Sequence, residues 1–412
     1  MTVSSEVTPA AGDVLDVRVG EAAAGGWCVA KLQDAGTGFV VFVRHALPGE
    51  RVRAVVTQTT TRFARAEAVE ILEPAPDRVS PPCPYAGPGA CGGCDWQHAS
   101  LPAQRELKAK IITVQLSRIA GVDRAVTVEA VPGDADGLGW RTRVRYAVGR
   151  DGRAGLLRHR SHDIVPVRDC LIAHPLVAQA EVTRKTWPGA RWVDVAVAPA
   201  TGQRAVLVTG GRKHQRSPGF LTQRAAGRDW RVTASGFWQV HPGAAGLLVD
   251  AVLAAVRPEP GETALDLFCG AGLFAGILAE AVGPDGSVIA VEQDAAAAAD
   301  ARHNLRSTPW ARVHRGDAAA VLGEIGRSGA SIAVLDPPRT GADRALIETL
   351  CGASSPSGLR KIAYVSCDPA TLARDIARFG QHGWRLAGFR AFDAFPMTHH
   401  VECLATLVPS VS

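Results

Sequence analysis

The chain has 412 residues, 47% hydrophobic and 21% charged, the balance of an ordinary folded protein, which excludes a disordered one. A net charge of +5 and a pI near 8.8 permit a nucleic-acid partner without demanding one. The first residues lack the basic and apolar regions of a signal peptide, and no run approaches the ~18 apolar residues of a membrane span, so a cytoplasmic location is expected. There, the nine cysteines point to metal or catalytic roles before disulfides.

In chain order, Val14–Val19, Trp27–Lys31, Phe39–Val43, Arg51–Thr57 and Ala64–Ile71 are short β-type runs. Turns at Gly25-Gly26, Gly36–Gly38 and Pro48-Gly49 separate them, which predicts a small barrel of the OB type. The proline-rich stretch Pro74–Pro84 marks a boundary. Leu107, Ile111, Val114 and Ile119 recur near helical spacing and predict a helix over 100–120. Residues 126–235 read as mainly β. From about 240, strand-like runs at 264–268, 288–292, 332–336 and 362–366 alternate with alanine-rich helical stretches. That alternation predicts a parallel, doubly wound sheet. The expected division is 1–76, 77–235 and 236–412, a barrel, a mainly β central domain and an α/β domain. The segment near 100–122 is expected to pack on the last of these.

Leu265-Asp266-Leu267-Phe268-Cys269-Gly270-Ala271-Gly272 ends a buried strand and opens a helix, with glycines that let the backbone approach a ligand closely. Glu292 ends the next strand, where a carboxylate can accept from ribose hydroxyls. A dinucleotide would suit this turn too, since Gly270 to Ala275 also satisfies G-x-G-x-x-A. Asp266 before the turn, with Gly316-Asp317 and Asp336-Pro337-Pro338-Arg339 at later strand ends, favours S-adenosylmethionine, whose sulfonium is cationic.

Cys367 lies just past a strand, at the end of an open sheet where ligands bind. Near the C-terminus, His399, His400 and Glu402 supply two imidazoles and a carboxylate. Cys83, Cys91 and Cys94 combine a C-x-x-C pair with a third cysteine, and Cys170 would complete a four-thiolate site for zinc or an iron–sulfur cluster. Arg141, Arg143, Arg145, Arg150, Arg153 and Arg158 interleave with Trp140 and Tyr146. Such a face would contact phosphates while an aromatic stacks on an unpaired base.

Together these motifs resemble the bacterial RNA 5-methyluridine methyltransferases, especially the 23S rRNA branch with an N-terminal TRAM domain. The resemblance covers nearly the whole chain. Residues 12–73 are similar to the TRAM domain, and 81–94 to the segment that binds a [4Fe-4S] cluster; by that likeness Cys83, Cys91, Cys94 and Cys170 would be its ligands. Phe237-Trp238-Gln239-Val240-His241 resembles F-F-Q-x-N, with Gln239 against the cofactor. The resemblance further implies S-adenosylmethionine contacts from Phe268, Gly270, Glu292, Asp317 and Asp336. Val365-Ser366-Cys367-Asp368-Pro369 is the most specific match and marks Cys367 as nucleophile. Asp393-Ala394-Phe395-Pro396-Met397-Thr398-His399-His400-Val401-Glu402 resembles D-x-F-P-x-T-x-H-V-E and marks Glu402 as base. The chain departs from the pattern in the seven residues between Cys83 and Cys91, where the family has fewer, in His241 for the usual Asn, and in Leu273 at a commonly polar position.

The implied chemistry is uridine C5 methylation. A thiolate adds to carbon 6 of an extruded base, carbon 5 becomes nucleophilic, and a base removes the carbon-5 proton after methylation. Glu402, with His400 beside it, would be that base, and Asp336 would orient the uracil. The expected partner is 23S rRNA, with the tRNA T-loop uridine as an alternative. RNA cytosine-C5 methylation is disfavoured by Arg339, where those enzymes carry a cysteine. A purely RNA-binding factor is disfavoured by the intact Cys367 and Glu402 motifs.

Overall fold

The computed structural model describes residues 8–32, 39–211, 218–326, 329–352 and 358–410; the expected Gly36–Gly38 turn lies outside them. Six strands, Val14–Arg18, Ala22–Ala23, Trp27–Leu32, Phe39–Arg44, Arg51–Thr59 and Phe63–Glu73, form the N-terminal sheet. Its alternating pattern is visible in Arg51–Thr59, where Val52, Ala54 and Val56 face the core and Arg51 and Arg53 face out. The sheet curls until the Val19 amide meets the Glu50 carbonyl and Gly20 meets Val29, closing a small barrel. Glu50, fully buried, accepts from the Leu47 and Ala75 amides and from Arg78, so one carboxylate ties the barrel to the chain that leaves it.

A second sheet of five strands orders Ile164–Val165, Ala154–Leu157, Arg143–Val148, Ala190–Ala198 and Gln203–Gly210. The third sheet has eight strands. From one edge they run Ala311–Arg315, Ser287–Glu292, Thr263–Leu267, Ile332–Leu335, Lys361–Ser366, Glu402–Pro409, Trp384–Asp393 and Val128–Ala130. The first five are parallel, as the β–α alternation requires, and Glu402–Pro409 enters antiparallel between Lys361–Ser366 and Trp384–Asp393. Both faces are covered, so the central strands read as unbroken apolar runs; Ile332–Leu335 is buried at every position.

Two segments ahead of residue 235 join this unit. Val128–Ala130 supplies its edge strand. The hairpin Phe220–Ala225 and Arg228–Thr233 drives Trp230 into the same core, and Asn304 pins it, accepting from the Arg231 amide and donating to the Ala271 carbonyl.

The helix expected over 100–120 is Leu101–Gln115, capped by Ser100 and continued by a wider turn over Leu116–Ala120. Its inner face differs from the apolar stripe read from the sequence. Val114 and Ile119 are exposed, whereas Gln104, Leu107, Lys108 and Ile112 are buried. Gln104 and Lys108 point inward because they hold a loop from the far end of the chain. Gln104 exchanges hydrogen bonds with Met397, and Lys108 pairs with Asp393 and donates to the Phe395 carbonyl. Among the described residues no helix is long and apolar enough to cross a membrane.

Candidate active site

The site forms where the parallel strands end. Leu267 turns into Phe268, which takes a left-handed conformation (φ 67°), and Gly270 follows with φ 55°. No atom lies within 4 Å of the place a Gly270 side chain would occupy, so that face of the turn is open. Glu292 braces the turn, accepting from the Gly270 amide at 2.8 Å and from Asp294 at 2.7 Å. Asp266 is buried beneath it. One carboxylate oxygen accepts from Ala275 and the other has no partner; burial, with Asp336 and Glu292 nearby, pushes this carboxyl up to about 8. An open glycine face with buried acceptors beside it fits a cationic nucleoside cofactor such as S-adenosylmethionine. Asp317 caps the helix Ala318–Ile325 by accepting from Ala320, and Gly316 donates to the Glu292 carbonyl, so this strand end joins the same rim. Gln239 is buried in the turn between the hairpin and the helix Ala244–Val256; its neighbour Val240 accepts two bonds from Thr142.

The nucleophile candidate is set by strand register. Ser366 pairs with Cys403 in antiparallel strands, so the next residues outward, Cys367 and Glu402, face each other. Leu267, Leu335 and Tyr364 align in the neighbouring parallel strands, so Asp336 follows at the strand end beside Val365, close enough for its charge to act on Cys367. Burial, Glu402 and Asp336 push the Cys367 thiol up to about 11, opposed by the Arg339 guanidinium that hydrogen-bonds to it. Part of Asp336 reaches the surface, but its carboxyl is enclosed and burial lifts it to about 7. Glu402 is buried, and burial with the Asp336 charge raises it well above the ordinary carboxylate range. The charge on either carboxyl opposes ionisation of the other, which adds to burial in raising Glu402.

The loop carrying Arg339 is fixed from below. Tyr364 donates to Asp375 at 2.7 Å, and the Ala342 amide donates to both; Arg374 donates to Asp375 and to the Thr340 carbonyl. Gly341 (φ 81°) admits no side chain, because one would strike Asp375 and Arg374. Asp368 caps the helix Pro369–Gln381 and sharpens the turn at Cys367. His400, expected to assist Glu402, lies against Arg339, whose charge also acts on Glu402. Burial, His399 and Arg339 hold its imidazole down at about 3, and its Nε2 lies 3.4 Å from Arg339. A neutral imidazole there accepts from the guanidinium and is a poor proton acceptor for the substrate.

Residues 326–409 match the tRNA (Uracil-5-)-methyltransferase model, residues 10–69 the TRAM domain, and residues 243–324 the protein-L-isoaspartate O-methyltransferase model. An uncharacterized RNA methyltransferase of Streptomyces avermitilis is 45% identical over 97% of this chain and 99% of its own, and one of Streptomyces coelicolor is 44% identical over 98% and 95%. This chain belongs to the RNA uracil-5-methyltransferase family. It is an S-adenosylmethionine-dependent RNA methyltransferase with a TRAM barrel at its N-terminus. The Pyrococcus abyssi tRNA (uracil-54, C5)-methyltransferase, solved with S-adenosyl-L-homocysteine, shares the fold with a TM-score of 0.71 at 23% identity, over 95% of this chain and 98% of that one.

In this methyltransferase Cys83, Cys91, Cys94 and Cys170 are free and half-buried, and they converge from two segments, Cys91 lying in the electrostatic field of the other three. Burial pushes Cys91, Cys94 and Cys170 upward. Gln97, missed in the sequence, bridges the loop by donating to Cys94 Sγ at 3.1 Å and accepting from the Cys83 amide at 3.1 Å. Among the described residues, however, no three His, Cys, Asp or Glu side chains stand close enough to hold a metal ion. The expected metal site is therefore not formed for a single ion such as zinc.

The expected RNA face also needs correction. Trp140 and Tyr146 are buried and cannot stack on a base. Trp140 lies parallel to His241, and Tyr146 belongs to the central core. Arg143 turns inward to the carbonyls of Ala234, Ser235 and Gly236, and Arg145 pairs with Asp194. Arg150, Arg153 and Arg158 stay exposed.

Proposed function

We propose that this enzyme methylates carbon 5 of a uridine in 23S rRNA through a covalent adduct at Cys367. The observation that carries this reading is the register that faces Cys367 with Glu402 beside Asp336, at the strand ends next to the glycine turn. Arg339 stabilises the Cys367 thiolate as the sulfur adds to carbon 6. Asp336 orients the base, and Glu402, once ionised, accepts the carbon-5 proton so that the sulfur can leave. S-adenosylmethionine, held by Gln239, Phe268, Gly270, Glu292, Asp317 and Asp336, supplies the electrophilic methyl group. The TRAM barrel and the cysteine loop support an rRNA substrate. A [4Fe-4S] cluster would take its four thiolate ligands from Cys83, Cys91, Cys94 and Cys170, which converge on one loop.

Tritium release from transcripts labelled at uridine carbon 5 tests the reaction. Release from 23S rRNA segments by wild type, and none by Cys367→Ala, is expected. Release from tRNA alone would move the substrate to tRNA, and full activity of Cys367→Ala would reject the adduct. Iron analysis of anaerobically purified protein tests the cluster: about four irons per chain is expected, with loss in Cys94→Ser. Iron-free protein would reject it.

A further inference from the structure

Asp95 directly follows Cys94, yet its carboxylate belongs to the C-terminal loop. It is buried; Oδ1 accepts from Arg44 of the barrel at 3.2 Å, and Oδ2 accepts from His399 Nδ1 at 2.6 Å and the His399 amide at 3.1 Å. The Asp95 and Trp96 amides both donate to the carbonyl of Met397, which is held in a left-handed conformation. The barrel presses from the other side, where a side chain at Gly26 would overlap Asp95. Asp95 therefore joins the barrel, the cysteine loop and the loop leading to Glu402.

The chain of contacts continues. The His399 ring lies 4.0 Å from that of His400, and His400 Nε2 is 3.4 Å from the Arg339 guanidinium. Arg339 makes no ion pair among the described residues, so its charge is free to act on Cys367. The groups facing Cys367 are Glu402 and Asp336, which raise it, and Arg339, which lowers it, with buried Cys403 beneath. Arg339 is exposed and long, and a guanidinium so placed needs a fixed acceptor to keep one rotamer. His400 is that acceptor; its ring packs between those of His399 and Phe395, and Asp95 holds His399.

We propose that Asp95 and His399 are positioning residues that set Arg339 against Cys367, so that the conformation of the cysteine loop governs the reactivity of the nucleophile. This rests on Cys367 being the nucleophile. A methyltransferase with this link works fully only when its cysteine loop is in place, whether or not the loop's own chemistry is used.

The test uses full-length enzyme and a transcript carrying 5-fluorouridine. The Cys367 sulfur bonds to carbon 6, and after methyl transfer the fluorine left on carbon 5 cannot be removed as a proton is, so one adduct accumulates per enzyme. Its rate of formation is followed from about pH 6.5 to 9. Asp95→Asn and His399→Leu should slow the adduct about tenfold near neutrality and displace the profile upward by about one pH unit. RNA affinity should stay within about twofold. His399→Gln keeps a side-chain N–H for Asp95 but loses the ring against His400, so it should recover only part of the rate that His399→Leu loses, with a smaller displacement of the profile. His399 is part-exposed, so His399→Leu keeps the test open if Asp95→Asn does not fold. A wild-type profile in His399→Leu, or an equal loss in His399→Leu and His399→Gln at every pH, would overturn the proposal. Turnover by wild type on normal RNA with no adduct on fluorinated RNA would overturn the Cys367 reading and this inference with it.

Discussion

At Cys367, burial and two carboxyls work against the thiolate while Arg339 works for it. With the thiol pushed up to about 11, its ionised fraction falls about tenfold for each pH unit below that value. Asp336, lifted to about 7, is protonated below that pH and charged above it. Both effects have the same sign, because the nucleophile and the carboxylate pair each act in the deprotonated form. The ratio kcat/KM should therefore climb steadily from about pH 6 to 9; a flat profile would mean that neither group limits the reaction. Glu402 is testable separately. Glu402→Gln keeps the side chain's shape and removes its basicity, so the methylated adduct should accumulate and run with the RNA on a denaturing gel. Normal turnover without a trapped adduct would give the proton to another group.

Among the elements, the helix Leu101–Gln115 shows how the C-terminal loop is held. Lys108 and Asp393 are fully buried and paired, far apart in sequence and adjacent in space. Lys108→Met leaves the Asp393 charge alone in the core and should cost about 3–5 kcal/mol in denaturant unfolding. Lys108→Met combined with Asp393→Leu removes both charges and should recover much of that loss; if the double variant is as unstable as the single, the pair is not the cause. The helix itself was legible in the sequence, but its inner face was not. Periodicity assigned Val114 and Ile119 inward because they are apolar, whereas Gln104 and Lys108 are buried by partners almost three hundred residues later. The same reason misplaced Trp140 and Tyr146. Aromatics among arginines suggest a nucleic-acid face, and only the packing shows Tyr146 inside the central sheet's core and Trp140 against Ile172 and Met397.

Across the whole molecule, the barrel meets the body through Arg44 and Asp95 and through Leu47 packed with Trp96 and Leu107, and Glu50 ties it to the chain that leaves it. Burial alone would raise this carboxyl, but Arg78 and the Ala75 and Leu47 amides prevail and hold it below its ordinary 4.5. The stability it contributes is present above that ordinary value and is lost as pH falls through the lowered one. Amide exchange in 14–73, taken relative to the intrinsic rate at each pH, should therefore quicken on acidification below about pH 4.5 before exchange in the eight-stranded sheet does. Glu50→Gln, which weakens the charged bonds to Arg78, should quicken it at neutral pH by the equivalent of about 1–3 kcal/mol. Barrel and sheet exchanging together in both conditions would show that the two are one cooperative unit.

The sequence by itself determined the barrel, the alternating strands and helices, and the local devices: the glycine turn after Leu267, the carboxylate at Glu292, and the Cys367 and Glu402 motifs. Each is encoded within a few residues, by periodicity of burial or by a backbone conformation that side chains restrict. Tertiary structure alone decided which of these share a crevice, and with what neighbours. Cys367 meets Glu402 through an antiparallel register, Asp95 meets His399 across three hundred residues, and His400 lies against Arg339. Burial sets the charge state of each group, and burial depends on what the rest of the chain brings to it.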